Sequence, residues 1–249
     1  MQPISAVIIT RDEANNIVDA LRSVEFCDEL LVVDSGSVDD TVSLAQQAGA
    51  RVLHNQWPGH VAQKNFAIDN AAHDWILSID ADERISDELA TSIKAAMAAE
   101  PAVSGFEVSR RAFYLGRWID HCGWYPDRRV RLFDRRNARW EGIDPHDFIR
   151  VQGPQRRLEG DLLHYTYRDI SHHLAVIDRY TTIGADRLAK LGRRATINDI
   201  VGRPIWTFFK KYVLKLGVLD GLPGLLVCAL SSYYVFLKYA KLWERGRGT

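Results

Sequence analysis

The stretch Trp75-Ile76-Leu77-Ser78-Ile79-Asp80-Ala81-Asp82-Glu83 decides how this chain is read. Its first part is a nearly continuous apolar run, as expected for a strand buried on both faces, and it ends abruptly in two carboxylates one residue apart. Two carboxylates so placed cannot both be buried cheaply unless something positive joins them. A hard divalent cation does so, and Mg2+ is typically held by one or two carboxylates together with substrate phosphates. Such a cation also offsets the charge developing on a departing diphosphate. The triplet Asp80-Ala81-Asp82 alone is weakly specific, because any acidic turn can produce one.

Its surroundings sharpen the reading. Upstream, strand-like and helical stretches alternate. Ala6-Val7-Ile8-Ile9 reads as a first buried strand, followed by Ile17, Ala20, Leu21 and Val24 at helical spacing. Leu30-Leu31-Val32-Val33 is a second strand ending at Asp34, and Asp39-Asp40-Thr41 opens the next helix with carboxylates at its positive end. Val52-Leu53 marks a short third strand. Residues 60–71 read as a helix carrying Ala62, Phe66, Ala67 and Ile68. After the fourth strand, Ser86 caps a helix running to about Ala99, with Glu88 in its first turn. Alternation of this kind predicts an α/β fold with a mostly parallel sheet and flanking helices. Ligands of such sheets bind beyond the carboxyl ends of the strands, where Asp34 and Asp80 are expected.

The first strand runs into Thr10-Arg11-Asp12-Glu13 without a glycine, which excludes a GxGxxG dinucleotide turn, and no GxxxxGK[ST] loop exists. The chain therefore needs another device to hold a diphosphate, and the acidic pair with Mg2+ or Mn2+ supplies one. Asp34, followed by Ser35-Gly36-Ser37, can accept from a nucleobase N–H or a ribose hydroxyl.

Beyond residue 100 the alternation stops. Strand-like runs at Gly105 to Val108, Val130 to Phe133 and Phe148 to Val151 are separated by aromatic and Arg-rich loops. From about Ile170 the chain turns helical. Pro204 suits the first turn of a helix reaching about Leu219, residues 220–224 suit a turn, and a last helix runs from Leu225 to about Trp243. The 249 residues thus read as a nucleotide-binding and catalytic domain over 1–165 and a helical C-terminal region over 166–249. From Leu222 to Leu237 there are 16 residues without a charge, short of the roughly 20 a spanning helix needs. Lys210, Lys211 and Lys215 precede this segment, and Lys238, Lys241, Arg245 and Arg247 follow it. Together with Tyr233, Tyr234, Phe236, Tyr239 and Trp243 they predict a helix lying on an acidic membrane leaflet. A core helix of a soluble protein is the alternative.

The net charge is zero but unevenly placed. Residues 1–100 carry 6 Lys/Arg against 17 Asp/Glu, residues 101–200 carry 18 against 13, and residues 201–249 carry 8 against 2. An acidic front suits metal binding and a basic back suits phosphorylated or membrane-borne partners, with no nucleic-acid signature. Cys27, Cys122 and Cys228 lack zinc or CxxC spacing, so reduced thiols in a cytosolic setting are expected. The N-terminal run has no basic leader, so no signal peptide is expected.

Four motifs in order now stand together. They are Val7-Ile8-Ile9-Thr10-Arg11-Asp12-Glu13, then Val32-Val33-Asp34-Ser35-Gly36-Ser37 with Asp39-Asp40-Thr41, then Gln63-Lys64-Asn65-Phe66-Ala67, then Leu77-Ser78-Ile79-Asp80-Ala81-Asp82-Glu83. They resemble the family 2 glycosyltransferases of GT-A fold. Arg129-Val130-Arg131-Leu132-Phe133, Lys215-Leu216-Gly217 and Asp220-Gly221 resemble the branch that glucosylates heptose in the lipopolysaccharide core. The resemblance implies that Thr10, Arg11, Glu13, Asp34, Ser35, Lys64, Asp80 and Ala81 line a UDP-sugar pocket and that Asp82 binds the divalent cation. The implied donor is UDP-glucose first, used with inversion.

An inverting transfer needs a carboxylate to take the acceptor hydroxyl's proton. The resemblance places it in Trp140-Glu141-Gly142-Ile143-Asp144-Pro145-His146-Asp147. Asp147 is the expected base, with Asp144 and Glu141 as rivals; the family pattern reads His-Glu where this chain has His146-Asp147. Arg128, Arg129, Arg131 and His146 are the expected acceptor contacts, because arginine reads phosphate bidentately, as on a glycolipid or phosphorylated glycan; a salt-bridged loop is the alternative for the three arginines. His164, His172 and His173 show no metal-ligand partner at useful spacing and read as structural or at most acceptor-facing. A Mg2+-dependent nucleotidyltransferase also pairs carboxylates with metal, but the segment Thr10 to Asn16 lacks the glycine and lysine that would hold a triphosphate. A non-catalytic nucleotide-binding module at a membrane surface is the other alternative, disfavoured by the intact acidic set.

Overall fold

The computed structural model describes residues 2–143 and 146–247. The chain divides into two units, Met1–Arg110 with Asp127–His164, and Arg111–Pro126 with Tyr165–Thr249.

The first unit begins with β1 (Ile4–Thr10), α1 (Ile17–Ser23), β2 (Glu29–Asp34), α2 (Thr41–Gln47), β3 (Arg51–His54), α3 (His60–Asn70) and β4 (Trp75–Asp80). It continues through β5 (Glu83–Ile85), α4 (Asp87–Ala98) and β6 (Gly105–Tyr114), whose last residues pass into the second unit. After β7 (Arg117–Ile119), which belongs to the second unit, come β8 (Asp127–Asp134), β9 (Ala138–Ile143), β10 (His146–Val151) and β11 (Gln155–Tyr165). The sheet order is β3-β2-β1-β4-β8-β6-β11-β5, and β9 and β10 form a separate antiparallel pair. β3, β2, β1 and β4 are parallel, as the alternation predicts, while β8 joins β4 antiparallel.

Strand periodicity explains why the parallel strands read as solid apolar runs. Ile4, Ala6 and Ile8 of β1 enter one core with Ile17 and Leu21 of α1, Ala45 of α2 and Leu89, Ile93 and Met97 of α4. Val7 points the other way, into a core with Ala67 and Ile68 of α3, Phe133, Trp140 and Ile149. Both faces are covered, so alternate residues find apolar neighbours on opposite sides. Ser86 caps α4 as predicted, accepting from Leu89 N at 3.2 Å, with Asp87 and Glu88 in the first turn.

The second unit holds α5 (Ile170–Lys190) and a helical run from Asn198 to Leu214, in which wide π turns flank α6 (Arg203–Phe209). A 3-10 turn (Gly217–Asp220) and α7 (Gly221–Arg245) complete it. Two expectations are corrected here. The helix placed from Pro204 to Leu219 starts earlier and stops at Leu214. The turn expected at 220–224 is instead the first turn of α7, where Pro223 needs no N–H partner. Close packing drives this. A Cβ on Gly224 would lie 2.2 Å from Gly217 O, so only glycine lets the two backbones meet. Asp220, buried, accepts from His121 N and His121 Nδ1 at 2.9 Å each and so fixes the loop that precedes β8. Tyr114, Ile119 and Cys122 pack on Val227 and Cys228, which explains why residues 111–126 cluster with the second unit rather than with the first domain as drawn from the sequence.

Candidate active site

Register sets the site's base. Thr10 pairs with Asp34 across β1 and β2, and Ile9 pairs with Asp80 across β1 and β4, so Thr10, Asp34 and Asp80 stand side by side at the carboxyl rim. The Asp34 carboxylate is buried and turned into its own loop. It accepts from Gly36 N at 2.8 Å and from the amide and hydroxyl of Ser37, and Gly36 adopts φ +90° to allow it. Burial opposes its charge, but the Ser37 and Gly36 hydrogen bonds prevail and hold the carboxyl below its ordinary value. Ser35 is buried, its amide bonding to Thr10 O and its hydroxyl accepting from Gln63 Nε2 at 2.9 Å. The loops after β1 and β2 are zipped together: Asp12 N donates to Ser37 Oγ, Val38 N to Asp12 Oδ1, and Glu13 N to Thr41 Oγ1. Arg11 is exposed, and Glu13 accepts from Asn16. Thr10 Oγ1 is buried without a hydrogen-bond partner among the described residues.

Beside this rim lies a charged cluster around Lys64, which α3 delivers to the sheet edge. Its Nζ is buried 3.2 Å from Asp80 Oδ1 and 2.9 Å from Asp147 Oδ2, and sits 4.1 Å from the centroid of the Trp140 ring. Arg131 approaches Asp80 from the other side, at 3.2 Å from Oδ2, and reaches Glu83 Oε1 at 2.7 Å. Glu83 accepts from Asp80 N. Burial works against the Asp80 charge, but the Lys64 ammonium and Arg131 guanidinium overcome it and hold the carboxyl well below the usual carboxylate range. A cavity of about 520 Å³ opens over this cluster, lined by Lys64, Asp80, Asp147, Trp140 and Arg128 to Arg131. Trp140 Nε1 is buried there without a partner among the described residues.

Asp82 follows, past the buried Ala81. Its Oδ2 lies 3.2 Å from His164 Nε2 of β11, and both side chains are partly exposed. Among the described residues no group of three or more His, Cys, Asp and Glu side chains converges. The pair nevertheless fits a divalent cation. An oxygen and an imidazole nitrogen sit close enough to be neighbouring ligands, and the remaining coordination is left for water and phosphate oxygens.

The structure therefore gathers Lys64, Asp80 and Asp147 into one cavity with Arg128 and Arg129, and sets Thr10, Asp34 and Ser35 on the adjoining strand ends. Arg131 lines the same cavity, but its guanidinium takes the salt-bridged alternative. It is buried and engaged with Glu83 and Asp80, because a guanidinium this deep requires carboxylate partners. Arg129 pairs with Asp127 at 3.0 Å, and Arg128 is exposed. Glu141 pairs with Arg150 and does not line the cavity. Asp144 and the His146 side chain lie outside the described residues. His164, read from sequence as structural or at most acceptor-facing, stands beside Asp82, while Trp140 and Glu83, both within the sequence motifs, carry no role of their own there. His173 is structural: it bonds Tyr114 Oη at 2.9 Å, stacks on Tyr167, and burial lowers its pKa to about 4.

A half-sheet of parallel strands with acidic residues on adjacent strand ends, continued by antiparallel strands and flanked by helices, is an α/β fold of the GT-A type. The chain matches the glycosyl transferase family 2 profile over residues 5–158. It is 30% identical over 260 residues to the lipopolysaccharide core biosynthesis glycosyltransferase LpsC of Rhizobium meliloti, covering 98% of this chain and 93% of that one. It is 31% identical over 256 residues to an uncharacterized glycosyltransferase of Rickettsia felis, covering 98% and 90%. In three dimensions it resembles the mannosyltransferase PcManGT of Pyrobaculum calidifontis, solved with GDP-Man and Mn2+, at a TM-score of 0.57 and 16% identity over 98% of this chain and 88% of that one. The chain belongs to glycosyl transferase family 2.

Proposed function

We propose that this enzyme transfers a hexose, glucose first, from a UDP-sugar with inversion to a membrane-linked acceptor of the lipopolysaccharide-core type, aided by Mg2+ or Mn2+. The name of the Rhizobium relative supports the acceptor class, and the Mn2+ bound in the Pyrobaculum mannosyltransferase supports a divalent cation. The observation that carries the reading is Lys64 lodged between Asp80 and Asp147 on the floor of the cavity.

The roles follow from that arrangement. Thr10 and Asp34 stand at the nucleoside end of the rim, Thr10 Oγ1 as a buried hydroxyl available to it and Asp34 with whatever lone pairs its loop leaves free; Arg11, Glu13 and Ser35 shape the loops around it. Asp80 is kept ionised by Lys64 and Arg131 and accepts hydrogen bonds from the ribose or donor sugar. Asp82 and His164 would hold the cation, which when bound offsets charge on the leaving diphosphate. The nitrogen donor suits Mn2+ better than Mg2+. Asp147 takes the proton of the acceptor hydroxyl as that oxygen bonds to the anomeric carbon and the bond to the diphosphate oxygen breaks. Lys64, 2.9 Å from Asp147 Oδ2, holds that carboxylate in position until the acceptor arrives. Arg128 and Arg129 offer cationic contacts to a phosphorylated acceptor. The work would take place on the cytoplasmic face of the inner membrane, with the protein attached peripherally.

A screen of UDP- and GDP-sugars, with and without lipopolysaccharide-core acceptors, tests the proposal. UDP-glucose turnover that rises with acceptor is expected; indifference to every nucleotide sugar would refute it.

A further inference from the structure

The helical run from Asn198 to Leu214, extended one residue back to Ile197, presents an apolar stripe at every fourth residue: Ile197, Val201, Ile205, Phe209 and Val213, between 45% and 82% exposed. In a regular α-helix such a row drifts around the axis, and the wide π turns at both ends counter that drift. Trp206 and Leu214 flank the stripe, and Leu216, Leu219 and Leu222 continue the exposed apolar surface into α7. Scattered exposed hydrophobics are ordinary, but a contiguous face of this kind marks an interaction surface.

Charge selects the occupant. Between Arg187 and Trp243 the only acids are Asp199 and Asp220, and both are buried. Every exposed charge within that segment, including Arg193, Arg194, Lys210 and Lys215, is therefore positive. A second copy brought face to face would bring like charges together, whereas an anionic bilayer complements both the apolar row and its basic border. In the far half of α7, where Tyr233, Phe236 and Trp243 are exposed, the basic residues Lys241 and Arg245 are engaged on α5 instead of bordering an apolar row. Lys241 Nζ bonds Asp178 Oδ1 at 2.7 Å, Arg245 bonds Asp186 Oδ1 at 2.6 Å, and Tyr239 and Leu242 pack on Ala185 of α5.

We propose that the Ile197–Leu222 surface, not the C-terminal half of α7, inserts its apolar stripe into the headgroup region of an anionic lipid bilayer. This deepens the reading of a membrane-linked acceptor and does not depend on the donor, the cation or the base.

Flotation of the full chain with vesicles tests it, using phosphatidylethanolamine with phosphatidylglycerol against phosphatidylcholine alone. The wild-type chain should favour the anionic vesicles. Ile205→Glu/Phe209→Glu, and independently Val201→Glu/Val213→Glu, should weaken that binding about tenfold or more, since each removes two apolar anchors. Trp243→Glu should bind nearly as well as wild type. UDP titration should be unchanged in every variant, showing intact folding and separating this test from that of the transferase reading. Three results would overturn the proposal: no vesicle binding by the wild type, both double variants binding undiminished, or light scattering that shows a wild-type dimer abolished by the double substitutions.

Discussion

Lys64 Nζ lies 2.9 Å from Asp147 Oδ2, joining residues 83 positions apart in the chain. The contact ties α3 to β10 and puts the expected base beside the strand-end aspartate that the same lysine also touches. From this one geometry the predictions for the active site follow.

Asp147→Asn keeps the shape and removes the proposed proton acceptor. Turnover should fall by about 10²-fold or more, the range for loss of a general base. UDP-sugar affinity should stay near the wild-type value. Steady-state kinetics with a parallel binding titration check both; unchanged turnover would assign the base elsewhere.

Lys64→Met leaves Asp80 and Asp147 without their shared buried cation. Removing one partner of such a pair costs about 3–5 kcal/mol, so chemical denaturation should show a clear loss of stability. The acid limb should move as well. Because the Asp80 and Asp34 carboxyls are held below their ordinary values, the unfolded chain takes up protons first on acidification. Their stabilisation is thus fully present above the ordinary carboxylate pKa of about 4 and is lost as pH falls below it. In Lys64→Met the Asp80 pKa rises and this contribution shrinks. Melting temperature against pH should therefore be lower throughout neutral pH and show a shallower decline below about pH 4. An acid limb identical to wild type would separate Lys64 from the ionisation of Asp80.

His164→Ala removes one member of the pair proposed to hold the cation. The Mn2+ concentration that half-saturates UDP binding should rise by about tenfold or more, a size seen even for residues behind the direct ligands. Electron paramagnetic resonance of free Mn2+ reads this without turnover. An unaltered Mn2+ requirement would leave His164 as a structural neighbour of Asp82.

Gly224→Ala places a methyl where Gly217 O stands 2.2 Å away. Crowding of this kind costs about 1–3 kcal/mol, and a melting temperature several degrees lower is expected. A neutral outcome would mean that the turn at Gly217 shifts freely.

The parts legible in the sequence are those fixed by local rules. β1, β2 and β4 are buried on both faces, so their apolar runs stand out, and their terminal residues Thr10, Asp34 and Asp80 come to the rim by register alone. β11 is hidden in the sequence because Gln155-Arg156-Arg157 opens it and most of its side chains remain at least partly exposed. The first turn of α7 resembles a loop because glycine and proline ordinarily break helices. Here Pro223 occupies a position without an N–H requirement, and Gly224 is needed for backbone contact. Arg131 resembles a phosphate ligand since sequence does not tell an exposed guanidinium from one buried against Glu83. Asp82 and His164 are 82 residues apart, and only the pairing of β11 with β5 brings them together. The apolar stripe from Ile197 to Val213 is masked in the sequence by the longer uncharged run in α7.

On the proposed reading, the acidic rim binds a uridine diphosphate jointly with a divalent cation. Calorimetric titration of UDP into the full chain with Mn2+ measures it most directly. Saturable binding is expected, abolished by EDTA and greatly weakened in Asp82→Asn. Absence of UDP binding, or binding indifferent to EDTA, would contradict that reading.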